Sequence, residues 1–380
     1  MSDNGQYFTT NEELQEKVFS FIKNKSTTIL EPCIGQGHLI KYVTTKKPKV
    51  QFNMYEIDSS IELLDGIKSD EVKYCDFLET DIVDTYDTII GNPPFVQTKK
   101  GNLYQKFIEK CYRMLKAKGE LVFIVPSDFI KLTSSGSLIN EMMENGTFTH
   151  LFQPNNEHLF DNANVDVIVF RYCKNPNLAK KVEINGKKKF LINTNGILTF
   201  SEKNMKNSKM LSELFDIYVG MVTGKECVFK NQELGNMEVI NGKNKIDKYI
   251  MLTNFPSENE ELDTYMLSHK ESLLSRKIRK FNDKNWFEWG GLRNYETIKK
   301  HLEKECLYVR TLTREKEVCF KDKVRFVGGG LIVLIPKQGI ELNIEKVSEQ
   351  INSEDFRSNY TYSGRFKIGH HQLCNVLYSD

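Results

Sequence analysis

The first half of the chain alternates short apolar runs with amphipathic stretches. The runs are STTIL (26–30), VQFNMYEI (50–57), VKYCDF (72–77), TYDTIIGN (85–92), GELVFIVP (119–126), FTHLFQ (148–153) and VDVIVFRYC (165–173). Between them, LYQKFIEKCYRMLKAKG (103–119) places apolar residues at helical spacing and ends on a glycine, which predicts a helix and its stop. Strands alternating with helices predict an α/β fold: a seven-stranded, mostly parallel sheet with helices on both faces. The last two runs are joined by a loop without a helical pattern. The final strand is therefore expected to enter by a hairpin and lie antiparallel.

Residues 174–210 break the pattern, with nine lysines against two glutamates. They read as a connector with a basic face; a solvated lysine-rich surface fits them equally well. Beyond about residue 205 the periodicity weakens. Isolated strands at 307–312 and 328–336 stand among turns and aromatic–basic mixtures such as RKIRKFNDKNWFEWGGLR (276–293). The expected organisation is a first domain at 1–175, a basic connector at 176–205 and an α+β domain at 206–380.

At 380 residues, two domains are the natural expectation, and 39% apolar with 27% charged residues describes a globular protein. A net charge of +2 excludes a uniformly basic binder, so any nucleic-acid surface must come from local clustering. The eight cysteines form no C-x-x-C pair, which argues for reduced thiols in a reducing compartment and against zinc or another metal. The start MSDNGQYFTT lacks the charged-then-apolar layout of a signal, and no apolar run approaches the roughly 18 residues of a membrane span. An intracellular, cytoplasmic protein is expected.

Candidate chemistry gathers at the strand ends. ILEPCIGQGHL (29–39) is a strand, an acidic residue, then Gly35-x-Gly37 opening a helix, where glycine lets backbone approach a ligand closely. The third glycine of a dinucleotide fingerprint is missing. The second strand ends in Glu56-Ile57-Asp58, with Glu56 placed 19 residues after Gly37 to accept from a ribose. The third ends in Asp76-Phe77. The fourth runs into Asn92-Pro93-Pro94-Phe95, where two prolines end the strand and stiffen the loop. Polar groups at four successive strand ends share the edge where open α/β sheets bind ligands. The rim of Glu31, Glu56 and Asp76 would repel a pyrophosphate and welcome a nucleoside carrying sulfonium and ammonium charges, which is S-adenosylmethionine.

These segments resemble the adenine-N(6) DNA methyltransferases of the TaqI-like, or gamma, order, in restriction–modification systems. GQYFTT (5–10) resembles the N-terminal cofactor motif, with Thr10 where the family usually has proline. EPCIGQG (31–37) matches the glycine loop, YEID (55–58) and CDF (75–77) the two acidic motifs, and GNPPF (91–95) the catalytic motif. HLFDNANVDVIVF (158–170) matches the motif supplying a second aromatic, placed at Phe160. VGMVTGKECVF (219–229) and TYSGRFKIGHHQL (361–373) resemble the family's recognition region more loosely.

The resemblance implies a Rossmann-like class I methyltransferase domain at 1–175 and a DNA target-recognition domain at 206–380. It implies S-adenosylmethionine held by Tyr7, Thr9, Glu31, Pro32, Gly35, Gly37, Glu56, Ile57, Asp76, Phe77 and Asn92. Methyl transfer to a flipped adenine would use Asn92 Oδ1 and the Pro93 carbonyl as acceptors for the amino hydrogens, with Pro94 fixing the loop. Phe95, often tyrosine in the family, and Phe160 would stack the base. Cys33 is read as a small buried residue, not a nucleophile. Arg276, Arg279, Arg293, Arg310, Arg314, Arg325 and Arg365 are the candidate DNA contacts, and Trp286 and Trp289 are read as packing. Double-stranded DNA and a cognate restriction endonuclease are the implied partners, with the protein a monomer away from membranes. The alternatives weighed are an RNA or glutamine methyltransferase and a catalytically dead DNA-binding module.

Overall fold

The computed structural model describes residues 7–99, 101–160 and 164–379. The chain divides into two compact units: the N-terminal residues to Lys206 with Tyr362–Gly364, and Asn207–Thr361 with the residues from Arg365 on. Among the described residues no helix is long and apolar enough to cross a membrane.

The first unit is an α/β sheet built from β1 (Thr28–Glu31), β2 (Gln51–Glu56), β3 (Val72–Tyr74), β4 (Tyr86–Gly91), β5 (Leu115–Pro126), β6 (Thr147–Phe152) and β7 (Val167–Cys173), continued by β8 (Lys181–Ile184), β9 (Lys187–Thr194) and β10 (Ile197–Ser201). The spatial order is β10-β9-β8-β6-β7-β5-β4-β1-β2-β3. Strands β3, β2, β1, β4 and β5 run parallel, and β7 is antiparallel to both β5 and β6, as the missing helix before it predicts. The order reverses at β1, so the crevice beside the carboxyl ends of β1 and β4 is where such sheets take ligands. Helices α1 (Glu12–Phe21), α2 (His38–Lys46), α3 (Leu103–Arg113) and α4 (Gly136–Asn145) connect or flank the strands. Apolar faces of α1 and α2 pack with Ile90, Val122 and Val169 on one side; α3 and α4 pack with Leu121, Phe123 and Phe170 on the other.

Two expectations are corrected here. The helix read over 103–119 ends at Arg113, and β5 already begins at Leu115. Gly119 marks a register shift in β5 rather than a helix stop: a Cβ there would stand 2.9 Å from the Lys116 carbonyl oxygen and 3.0 Å from that of Tyr86. The segment 176–205 is no connector, because β8, β9 and β10 extend the sheet from seven strands to ten. Val182, Leu191, Leu198 and Phe200, on β8, β9 and β10, join the core of this unit. Asn185-Gly186 and Asn195-Gly196 turn the two hairpins with positive φ at both residues, the geometry that favours Asn-Gly.

The second unit is α+β. An antiparallel sheet places β11 (Phe215–Val219) beside β16 (Leu331–Pro336), then β14 (Glu305–Arg310) and β15 (Cys319–Lys323), with α5 (Ile344–Asn352) packed on it. A hairpin of β12 (Met237–Gly242) and β13 (Lys245–Tyr249) borders a second core containing Trp286 and Trp289, both buried as packing residues.

Candidate functional site

A cavity of about 560 Å³ opens at the carboxyl ends of β1, β2, β3 and β4. Every residue expected to hold the cofactor lines it except Gly37, which stands behind as the first residue of α2's cap. Gly37 has φ +88°, a left-handed backbone that favours glycine, and a Cβ on it would lie 2.0 Å from Ile67 Cδ1, which would have to move aside. Gly35, at φ +55°, lies against the Phe8 ring.

The lining is acidic. Glu31 leaves the end of β1 into the interior, 2% exposed, and its Oε2 has no hydrogen-bond partner. Burial, and secondly the neighbouring Glu56, push its carboxyl well above the usual carboxylate range. Glu56 is satisfied: Oε2 accepts from Gly35 N at 2.8 Å, and Oε1 from Ile57 N at 2.9 Å and Asp58 N at 3.1 Å. Its carboxylate thus ties the glycine loop to the end of β2. Asp76 is exposed at the rim and accepts from Leu78 N at 2.9 Å. Ile57 is an apolar side chain left 63% exposed at the mouth of the cavity. Burial lowers the pKa of His38, the one basic side chain among the described lining residues, with Lys41 adding to the effect. A cationic ligand suits this site and an anionic one does not.

Asn92 follows β4 directly. Its Nδ2 donates to the Tyr7 carbonyl at 2.7 Å and to Thr9 Oγ1 at 3.1 Å. With the donors fixed, Oδ1 is left buried without a partner, at the edge of the cavity. Pro93 is buried, Pro94 lines the cavity, and Phe95 is half-buried. Phe160 is 5% exposed and meets Phe95 edge to face, centroids 6.1 Å apart at 82°. The two rings do not form a parallel slot in this state. Cys33 carries a thiol whose pKa is pushed up by burial, then by Glu31 and Glu56, which suits a packing residue and not a nucleophile.

Sequence reasoning missed three contributors. Phe8 and Phe107 line the cavity. Lys110, on α3, donates to the carbonyls of Phe77 at 2.5 Å, Leu78 at 3.2 Å and Thr80 at 2.6 Å, and so sets the loop that carries Asp76. A lysine within an amphipathic helix gives no sign of such a role. Within the expected motifs, Gly5, Gln6, Asp161, Asn162 and Ala163 lie outside the described residues.

The candidate arginines of the second unit fall into three sets: buried, ion-paired and exposed. Arg276 is a correction. It is 7% exposed and donates to the carbonyls of Leu273 at 2.8 Å, Thr223 at 2.6 Å and Trp286 at 2.6 Å, so its guanidinium is spent on the fold and cannot reach DNA. Burial, aided by Arg279, pulls its pKa down to about 10. Arg279 pairs with Glu288 at 2.6 Å, Arg310 with Glu315 at 2.9 Å, and Arg325 with Glu303 at 3.7 Å. Arg293, Arg314 and Arg365 are exposed.

Residues 23–160 match the family model described as Eco57I restriction-modification methylase. Among curated proteins, the type II methyltransferase M.HincII of Haemophilus influenzae is 29% identical over 196 residues, covering 46% of this chain and 38% of that protein. The type II methyltransferase M.AccI of Acinetobacter calcoaceticus is 25% identical over 186 residues, covering 42% of this chain and 34% of that one. The matches thus span little more than a third of those relatives' length. Among solved structures, the type IIL restriction-modification enzyme MmeI in complex with DNA aligns over 97% of this chain and 64% of its own, with 11% identity and a TM-score of 0.58. That likeness establishes the fold.

Proposed function

From an N-terminal unit that carries an Eco57I-type restriction-modification methylase domain, we propose that this protein is a site-specific DNA adenine methyltransferase. It would transfer a methyl group to the exocyclic amine of a flipped adenine within a short duplex site and so protect that site from a cognate endonuclease. The observation that carries the reading is the buried, unpartnered Oδ1 of Asn92, held in place by two hydrogen bonds from its own Nδ2.

S-adenosylmethionine is the cofactor that this fold and family imply, and the residues fit it. The unpartnered Glu31 oxygen and the acidic lining suit its ammonium and sulfonium, and Glu56 and Asp76 stand at adjacent strand ends for its ribose and base. When bound, it supplies an electrophilic methyl group. The chain's own part is to make a poor nucleophile attack. Adenine's amino lone pair is delocalised into the ring. Asn92 Oδ1 and the Pro93 carbonyl accept the two amino hydrogens, which favours a tetrahedral nitrogen and frees the lone pair. Because the prolines stiffen the loop and Nδ2 is already engaged, these acceptors need little reorganisation during reaction. Proximity and alignment supply much of the remaining rate. The second unit would read the site, with the exposed residues Arg293, Arg314 and Arg365 as candidate contacts to phosphates or guanine edges.

The test is incubation of duplex DNA with the purified protein and methyl-labelled S-adenosylmethionine, then mass spectrometry of the nucleosides. N6-methyladenine supports the proposal. Label in 4-methylcytosine would keep the amine chemistry and change the base, and label in RNA or protein alone would overturn the substrate.

A further inference from the structure

Tyr7 lines the cofactor cavity, and its ring also touches both aromatics assigned to the target base. Its centroid lies 5.3 Å from that of Phe95 and 5.6 Å from that of Phe160. Its main-chain carbonyl meanwhile orients Asn92. One residue therefore touches the amide acceptor through its backbone and both stacking aromatics through its side chain.

A planar base sandwiched between two rings needs about 7 Å between them, two contact distances of roughly 3.5 Å, and near-parallel planes. Phe95 and Phe160 stand closer than that and nearly perpendicular. Something must hold the apolar surface of this pocket when no base is present, and Tyr7 is the ring in contact with both walls. The backbone of this segment has separate anchors: the Tyr7 carbonyl accepts from Asn92 Nδ2, and, two residues on, the Thr9 carbonyl accepts from Gln15 Nε2 at 2.7 Å. Rotation of the Tyr7 side chain can clear the pocket while these anchors stay in place.

We propose that Tyr7 is a positioning residue of the base site, a placeholder ring that packs against both Phe95 and Phe160 in the free protein, closing the three rings into one cluster, and swings aside for the extruded adenine. The proposal rests on the reading of the protein as a DNA adenine methyltransferase. It gives Tyr7 and Phe95 opposite effects. Removing Phe95 takes away a stacking partner of the flipped base. Removing the Tyr7 ring takes away a competitor of that base and leaves the carbonyl that orients Asn92.

The test uses a duplex with 2-aminopurine at the adenine the enzyme methylates, titrated with protein in the absence of cofactor. Tyr7→Ala should raise the equilibrium constant for the flipped state about tenfold, the order expected for the loss of two aromatic ring pairs. Phe95→Ala should lower it. Tyr7→Phe, which keeps the ring, should return the fluorescence to the wild-type level. Tyr7→Leu keeps apolar bulk should the alanine variant fold poorly, and it should also raise the emission. Unchanged or lower emission with both Tyr7→Ala and Tyr7→Leu would overturn the placeholder role. The unmodified duplex is assayed alongside for methyl incorporation by the wild-type protein. No incorporation sinks the functional reading itself, whereas incorporation with unresponsive Tyr7 variants sinks the placeholder alone.

Discussion

Replacing Glu31 with glutamine should move stability and cofactor affinity in opposite directions. In the free protein this carboxyl is buried, has one oxygen without a partner, and has its ionisation opposed by burial and by Glu56. Its folded pKa therefore lies above its unfolded value. The folded state binds the extra proton, so the stability Glu31 contributes is fully present below the unfolded pKa and is lost as pH rises through the raised folded pKa. Glutamine keeps the shape and removes the titration. The glutamine amide stays unpartnered there but carries no ionisation penalty, and each kcal/mol of that penalty removed should raise the melting temperature of the cofactor-free protein by about 2–4 °C at neutral pH, for a unit of roughly 200 residues. The gap between variant and wild type should narrow on acidification. Affinity should go the other way. A hydrogen bond to a charged partner contributes about 1.5–3 kcal/mol, which predicts a dissociation constant for S-adenosylmethionine weakened about 10- to 150-fold. Wild-type affinity should itself fall as pH is lowered, because protonation of Glu31 competes with the cationic ligand. Differential scanning calorimetry from pH 5 to 8 and isothermal titration calorimetry on the same two proteins measure both effects. A variant that melts lower than wild type at neutral pH, or binds the cofactor as tightly, would refute the reasoning.

Arg276→Ala should destabilise the second unit by about 2–4 kcal/mol, because three buried carbonyls lose their donor, whereas Arg293→Ala should leave the melting temperature within about 1 °C and weaken duplex binding with a shallower salt dependence. Thermal melts and fluorescence anisotropy at several salt concentrations separate the two, and a stable, binding-deficient Arg276→Ala would return that residue to the DNA surface. Gly196→Ala should cost about 2 kcal/mol, since φ is +81° and the new methyl would lie 2.3 Å from Gly136 Cα. Urea denaturation of the variant checks this, and an unchanged midpoint would contradict the packing of the β9–β10 turn against α4.

The sheet from β1 to β7 was legible because each strand falls within a short, mostly apolar run set off from the amphipathic stretches between them. The site edge was legible because acidic or amide residues close four of those runs in succession. The extension from β8 to β10 was hidden by its lysines: strands with one solvated face put half their residues outward, and the charge count masked Val182, Leu191, Leu198 and Phe200 beneath. The two Asn-Gly pairs were the local sign of its hairpins. Arg276 was misread for the opposite reason. Residue type announces a cation, but burial depends on Phe229 and Phe281, over which it stacks, and on carbonyls supplied by distant residues. Lys110 escaped notice likewise, because its partners are main-chain oxygens across a turn of the fold. The orphaned oxygens of Glu31 and Asn92 are invisible in the sequence, since only packing decides which polar atom is left without a partner.

The most direct test of the central claim is single-molecule sequencing of DNA from cells that express this protein, beside cells that express Asn92→Ala. N6-methyladenine is expected at one short sequence motif with the wild-type protein and none with the variant, although the variant still binds S-adenosylmethionine. Equal methylation by both proteins, or no modified adenine with a wild-type protein that binds the cofactor, would contradict that claim.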